Sequence, residues 1–413
     1  MAFFESDRLG LYISIPFCRS KCTYCNFASG VYPASDHERY VDRLIADLTA
    51  AGQWAEKSGV DLPRIVDTVY LGGGTPSLLE PELIARLFGV VREVFCVEAD
   101  AEITVECAPG QIADATLEAL VRAGVNRVSL GAQSFIDREA QVSGRLHSRA
   151  VVLDDLRRLQ EAGIENFNLD LIAGLAGQTV ESWEESLSVL VESGAPHASV
   201  YMLEVDEDSR LGREILADGA RYFAELVPHD DTIARMYEMA IERLANAGLA
   251  QYEISNFARG GRESRHNLRY WQRRPYLGLG LDASSMLRGS GSVASMNVLR
   301  SKTTDDLKEY LEGTAPGETT WLSPARQHEE AWFLGLRLNE GVEIEPLRNE
   351  FGDAQVARAL ETVAQLLEED LVTSDGRTVR LTAKGRLLSN EVFQEFLDFT
   401  GEVEEAERAI PVR

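Results

Sequence analysis

Short apolar, β-branched stretches alternate with longer segments of helical period through the first half of the chain. The stretches at 11–15, 68–71, 102–105, 127–130, 166–172 and 197–203 predict six strands. Between them apolar side chains recur at 3.6-residue spacing, as in Leu44, Leu48 and Ala51, Leu83, Leu87 and Val91, or Leu187, Leu190 and Val191, and predict a helix in each interval. Three of these helices run into a glycine just before the next strand, at Gly124, Gly163 and Gly194, where a left-handed cap is wanted. Alternation of this kind predicts an α/β fold whose parallel sheet curls into a partial (β/α)6, TIM-like barrel with its helices outside. The C-terminal ends of the strands are then where chemistry gathers.

Still within this unit, placed at 1–258, a further helix at 233–247 leads to a stretch at 251–255 that is expected to extend the sheet. Residues 259–322 are rich in glycine, arginine and serine with poor periodicity and read as a loop-rich connection. Helical patterning returns at 323–400, where 366–372 runs into the turn signal Asp375-Gly376-Arg377 and a second short strand. Helices followed by a hairpin predict a winged-helix-like α+β module. An acidic tail, 401–413, reads as solvated.

Charge narrows the function classes. Forty-one basic against sixty-seven acidic side chains leave a net charge of −26, which repels phosphate backbones and puts nucleic acid out of the expected partners. No apolar run approaches the roughly 18 residues a membrane span needs. The opening residues lack a basic start before an apolar stretch, so no secretory leader is expected and the cytoplasm is the expected address. Five cysteines are too few for a disulfide scaffold, yet Cys18, Cys22 and Cys25 fall within eight residues.

These three, spaced C-x3-C-x2-C directly after the first strand, can converge on one centre from a single loop. A structural zinc site wants four ligands, and Cys96 or Cys107 would have to complete it. An iron–sulfur cubane held by three thiolates leaves one iron free for a further ligand. Unrelated thiols are the third possibility. Other strand ends carry Gly72-Gly73-Gly74-Thr75-Pro76, where absent side chains let backbone approach a ligand, and then Glu106, Gln133 and Asp170. Singly, Glu106 and Asp170 are equally satisfied carboxylates, with Arg145 as an ion-pair partner and Gln133 a helix-entry residue.

The cysteine loop, with Tyr24 before its last cysteine, resembles that of the radical S-adenosylmethionine superfamily, and the likeness runs along the whole chain. It implies a 4Fe-4S cluster on Cys18, Cys22 and Cys25, whose open iron chelates S-adenosylmethionine. In the similar oxygen-independent coproporphyrinogen III oxidase-like family, the positions matching Tyr12, Gly73, Gly74, Thr75, Glu106, Gln133, Arg145 and Asp170 contact the nucleoside ligand, and the resemblance implies the same here. One departure is Ala176 within Gly174-Leu175-Ala176-Gly177-Gln178, where that family usually places proline.

The oxidases of that family carry a further cysteine two residues beyond the triplet; here Phe27 stands there, and only ten residues precede the first strand. Instead, His266-Asn267-Leu268-Arg269-Tyr270-Trp271 matches the H-N-x-x-Y-W signature of the HemW-type haem chaperones. An imidazole is a common axial donor to haem iron, and the two aromatics offer flat surface to a porphyrin. Arg262, Arg265, Arg269, Arg273 and Arg274 form a basic island for the propionates. The other reading of the hexapeptide is an aromatic anchor with His266 merely hydrogen-bonded. Ala283-Ser284-Ser285 replaces the Ala-His-Ser of related proteins, which leaves His147 and His328 as substitute donors.

The resemblance therefore implies a carrier: haem bound at His266, Asn267, Tyr270 and Trp271 and passed to acceptor haem proteins, respiratory enzymes among them, with transient contact at a membrane surface. The exposed cluster loop is the candidate interface for a homodimer. The alternatives are a radical decarboxylase acting on coproporphyrinogen III and, from the winged-helix-like module, a DNA reader. Whether S-adenosylmethionine is cleaved stays open.

Overall fold

The six expected strands form and lie side by side in chain order. They are β1 (Arg8–Ile15), β2 (Ile65–Gly73), β3 (Cys96–Cys107), β4 (Arg127–Gln133), β5 (Asn166–Ala173) and β6 (His197–Met202), each parallel to the next. The computed structural model describes residues 8–291, 297–313 and 317–397, so the tail expected at 401–413 lies outside the described residues. Helices α1 (Ser35–Ser58), α2 (Pro81–Val94), α3 (Asp114–Arg122), α4 (Arg149–Glu161) and α5 (Val180–Glu192) fill the intervals, and α6 (Asp230–Asn246) follows β6. The capping glycines behave as expected: Gly124, Gly163 and Gly194 have φ of 84°, 85° and 74°.

The two faces of the sheet differ in chemistry. Leu9, Leu11, Ile13 and Ile15 of β1 join Leu44 and Leu48 of α1 in the main core. The alternate residues Tyr12 and Tyr70 have ring centroids 6.1 Å apart on the concave side. The helix-facing side is thus dry and apolar, while the lumen is lined with hydroxyls, amides and charges. In an ordinary packed barrel the lumen is filled by branched apolar side chains; here it is built to hold something polar.

Residues 259–322 are not the loop-rich connection that their composition predicted. They contain α7 (Arg265–Trp271), β8 (Tyr276–Leu279), β9 (Ser284–Gly289), β10 (Val298–Lys302) and β11 (Glu318–Leu322). Strand β8 pairs parallel with β1, and the next three continue antiparallel from it. The signal was hidden because the strands are short and place arginine within the ladder: Arg300 in β10 is held by Glu330 at 2.8 Å. The strand expected at 251–255 is displaced. The ladder beside β6 is formed by β7 (Asn256–Ala258), with Ala250–Gln251 pairing to it in turn.

Helix α8 (Pro324–Leu336) begins the last unit, followed by helices Ile344–Phe351 and Asp353–Glu368. Strands Val372–Ser374 and Thr378–Leu381 form the expected hairpin, joined by Val342–Glu343 in a three-stranded sheet. Its core, centred on Trp332, Leu347, Val356 and Phe396, also takes in Ile254 and Trp271 from the preceding unit.

Candidate functional site

The cysteine loop leaves β1 at its C-terminal end and returns to it, with Cys18 N–H donating to Gly30 O at 2.8 Å. Every sulfur has a donor or hydroxyl beside it: Arg145 Nη1 at 3.5 Å from Cys22 Sγ, Ser29 Oγ at 3.9 Å from Cys25 Sγ and Thr75 Oγ1 at 4.0 Å from Cys18 Sγ. Burial pushes the Cys18 thiol up, and the neighbouring Cys25 and Cys22 add to the shift. Three thiols crowded in this way favour a metal that takes their protons. Among the described residues no three His, Cys, Asp or Glu side chains meet as on a single ion. The proposed fourth ligands are elsewhere: Cys96 is exposed at the first residue of β3, and burial holds the Cys107 thiol up at about 12.

The remaining predicted residues assemble around this loop. Glu106 accepts from the Tyr70 hydroxyl at 2.9 Å and from Gly73 N–H at 3.1 Å. Gly73 has φ 101°, and a Cβ there would lie 2.8 Å from Ser14 Oγ. At Gly74 a Cβ would meet Phe17 O at 2.7 Å and Ile15 O at 2.8 Å, both backbone atoms at the root of the cysteine loop. Gly74→Ala is accordingly expected to cost about 1–3 kcal/mol and to displace Cys18. Iron retained after anaerobic reconstitution should fall in parallel with the denaturation midpoint; iron content equal to wild type would contradict this. Gln133 adopts φ 66°, an unusual region for a side-chain-bearing residue, and its buried Oε1 has no partner. That orphaned acceptor is what a ligand's donor would satisfy. Asp170 receives Asn168 Nδ2 at 2.6 Å and Ser129 Oγ at 3.2 Å, while burial raises its pKa. Arg145 stands between Cys22 and Gly131 O. Tyr12, Ser14, Phe27, Ala28, Gly73, Leu281 and Asp282 line a small cleft beside the loop.

Below this ring lies a polar network that no sequence motif marks. His197 Nδ1 is 2.6 Å from Asn168 Oδ1 and its Nε2 is 2.9 Å from the Tyr252 hydroxyl, while Ser199 bridges to Asn256. Arg127, 2% exposed, sits among these groups with its Nε unpartnered, next to the unpartnered Thr104 Oγ1 of the adjacent strand position. The sequence did carry a signal: Glu102, Thr104 and Glu106, or Asn166, Asn168 and Asp170, place polar residues at every second position of a strand.

The H-N-x-x-Y-W segment forms α7, which closes the opposite, N-terminal end of the barrel. Its first turn is capped by Glu102, whose oxygens accept from Arg265 N–H at 3.1 Å and His266 N–H at 3.0 Å. His266 is buried, with Nδ1 2.9 Å from Thr68 Oγ1 and Nε2 2.8 Å from the Tyr270 hydroxyl. Burial, aided by Arg269 and Arg127, holds its pKa well below the usual value. Trp271 points the other way, into the C-terminal core under the Arg337 guanidinium at 4.2 Å. Tyr270 packs edge-on to Tyr276 with centroids 4.6 Å apart, and Asn267 lies half-buried on the same helix.

In the structure His266 and Tyr270 bond to each other while Trp271 packs into the C-terminal core, and both imidazole nitrogens of His266 have partners. The basic island is likewise dispersed, since Arg269 is paired with Asp67 and Arg273 with Glu350 at 2.9 Å. Of the substitute donors, His147 Nε2 is 3.1 Å from Ala132 O, and His328 Nε2 accepts from Trp332 Nε1 at 3.0 Å.

Residues 12–190 match the radical SAM superfamily and residues 322–388 the HemN C-terminal domain. The chain is 33% identical to "Heme chaperone HemW" of Lactococcus lactis subsp. lactis over 94% of its own length and 96% of the relative's. It is equally identical to the protein of that name in Bacillus subtilis, over 94% and 98%. It is also 33% identical to the bovine mitochondrial "Radical S-adenosyl methionine domain-containing protein 1", over 92% and 85%. Among solved structures it superposes on the coproporphyrinogen III oxidase HemN of Escherichia coli with a TM-score of 0.79 at 24% identity, covering 96% of this chain and 92% of that one. That likeness is one of fold.

Proposed function

The chain belongs to the HemW family within the radical SAM superfamily, and from that premise we propose that it is a haem chaperone, binding one haem and passing it to acceptor haem proteins. The observation that carries the reading is the end-to-end match to HemW proteins, which extends from the cysteine loop through the C-terminal module. In this proposal Cys18, Cys22 and Cys25 hold a 4Fe-4S cluster, with the Arg145, Ser29 and Thr75 donors steadying its sulfurs. Tyr12, Gly73, Gly74, Thr75, Glu106, Gln133 and Asp170 hold S-adenosylmethionine against it. When bound, the cluster supplies an electron and an open iron corner. The protein's own part is to bind and orient: Glu106 and Asp170 accept from ligand donors, and Gln133 meets the atom its strained backbone aims at.

Phe27, in place of the oxidase's extra cysteine, counts against coproporphyrinogen decarboxylation. The carrier role places the chain in the cytoplasm, with respiratory haem enzymes reached at the membrane surface as recipients; a homodimer would form through the cluster loop. Among the described residues no helix is long and apolar enough to cross a membrane.

Titrating the anaerobically reconstituted chain with hemin should shift the Soret band to a plateau at one equivalent, and an added apo-haem protein should then acquire the pigment. Absence of the shift would sink the carrier reading. Protoporphyrinogen formed from coproporphyrinogen under reducing, anoxic conditions would replace it with the enzymatic one.

A further inference from the structure

Arg269 meets Asp67, Arg273 meets Glu350 and Arg300 meets Glu330, each cation held by a carboxylate. Arg127 is different. It opens β4, is 2% exposed, and among the described residues no hydrogen bond or ion pair reaches its guanidinium, whose Nε is an orphaned donor. A buried cation in this condition is costly unless something anionic completes it.

Its surroundings do not supply that charge. Asn168 donates to Ser129 Oγ at 2.8 Å and to Asp170 at 2.6 Å, its Oδ1 faces His197, and Glu102 is taken up by the first turn of α7. The cation is nevertheless felt across the lumen. After burial itself it is what holds the His197 pKa well below the usual range, and it is among the groups that counter the rise burial gives Asp170.

The row to which Arg127 belongs gives the site its shape. Tyr12, Tyr70, Thr104 and Arg127 are register partners on β1 to β4, so they share the concave face, with neighbouring strands about 4.8 Å apart. Thr104 is 0% exposed, and its Oγ1 also lacks a partner. Two buried donors on adjacent strands are thus unmatched, in a row that begins at the cleft lined by Tyr12.

We infer that Arg127 and Thr104 form an anion site in the barrel lumen for the carboxylate of a small ligand, gripped by the guanidinium and by the threonine hydroxyl. The inference goes beyond the carrier reading and needs neither haem nor cluster. A carboxylate meets the guanidinium fork through two oxygens, as a halide cannot. Glu106 and Asp170, bonded to Tyr70 and Ser129 within the same lumen, repel a phosphate dianion, whereas one cation balances one carboxylate.

The test uses the full metal-free chain, with sodium formate as the probe and sodium chloride at equal ionic strength as the reference. Formate at about 100 mM should raise the denaturation midpoint of wild type by about 4 °C over chloride. Arg127→Met should abolish that difference and, having removed an unmatched charge, should itself unfold about 2–4 °C above wild type in chloride. Thr104→Val, which keeps the shape, should leave the chloride midpoint within about 1 °C and weaken formate about tenfold. Equal midpoints in formate and chloride for wild type, or a formate effect that persists in Arg127→Met, would overturn the site. An Arg127→Met chain that unfolds below wild type would do so as well, by showing the guanidinium to be a structural strut.

Discussion

Asp67→Asn should destabilise the chain by about 3–5 kcal/mol, because it strands a guanidinium in the floor of the barrel. Arg269 is 0% exposed and its cation is met by Asp67, itself 3% exposed. Its other partners are neutral carbonyls, Pro275 O at 2.9 Å and Arg8 O at 3.3 Å. Burial lowers the Arg269 pKa to about 10, a measure of how dependent the charge is on its carboxylate. Gly10 adds to the constraint, since a side chain there would strike the Arg269 stem. Urea unfolding followed by tryptophan fluorescence checks the prediction. The pairing is tested by Asp67→Leu with Arg269→Met, which should recover part of the loss by removing both charges together. A cost below about 1 kcal/mol for Asp67→Asn would mean that water, not the carboxylate, meets the guanidinium.

The second large effect concerns the loop at the other end. Cys22→Ala should abolish retention of iron and sulfide, with the visible absorption of the reconstituted protein lost rather than shifted. Cys22 is the most buried of the three and takes the Arg145 guanidinium at 3.5 Å. Removing it deletes one of the three proposed ligands and leaves the Arg145 cation without its sulfur partner. Cys96→Ala should leave iron content unaltered, because Cys96 lies at the N-terminal end of its strand. Iron and sulfide analysis on protein handled without oxygen decides both. Stoichiometric zinc without sulfide in the wild type would reject the cluster altogether.

The sequence made the barrel legible because both of its signals are local: β-branched runs bounded by helices, and capping glycines at Gly124, Gly163 and Gly194. The candidate cofactor residues could be located because they sit on successive strands or just after them, where Glu106 reaches Gly73 and Arg145 reaches Cys22. What stayed hidden depends on partners distant in the chain. The hexapeptide displayed haem-compatible chemistry, but only the fold shows His266 bonded to Thr68 and Trp271 turned toward Arg337. The strands between 276 and 322 escaped notice because their arginines are neutralised by acids from elsewhere, as Arg300 is by Glu330.

Strand β1 has one neighbour that follows it within about sixty residues and another, β8, whose Tyr276 pairs with Gly10. During synthesis its second edge must wait for that late partner, and until then a row of unpaired amide groups beside the cysteine loop is open to misassociation. A ribosome pausing before codon 280 would hold the nascent polypeptide with a half-built barrel.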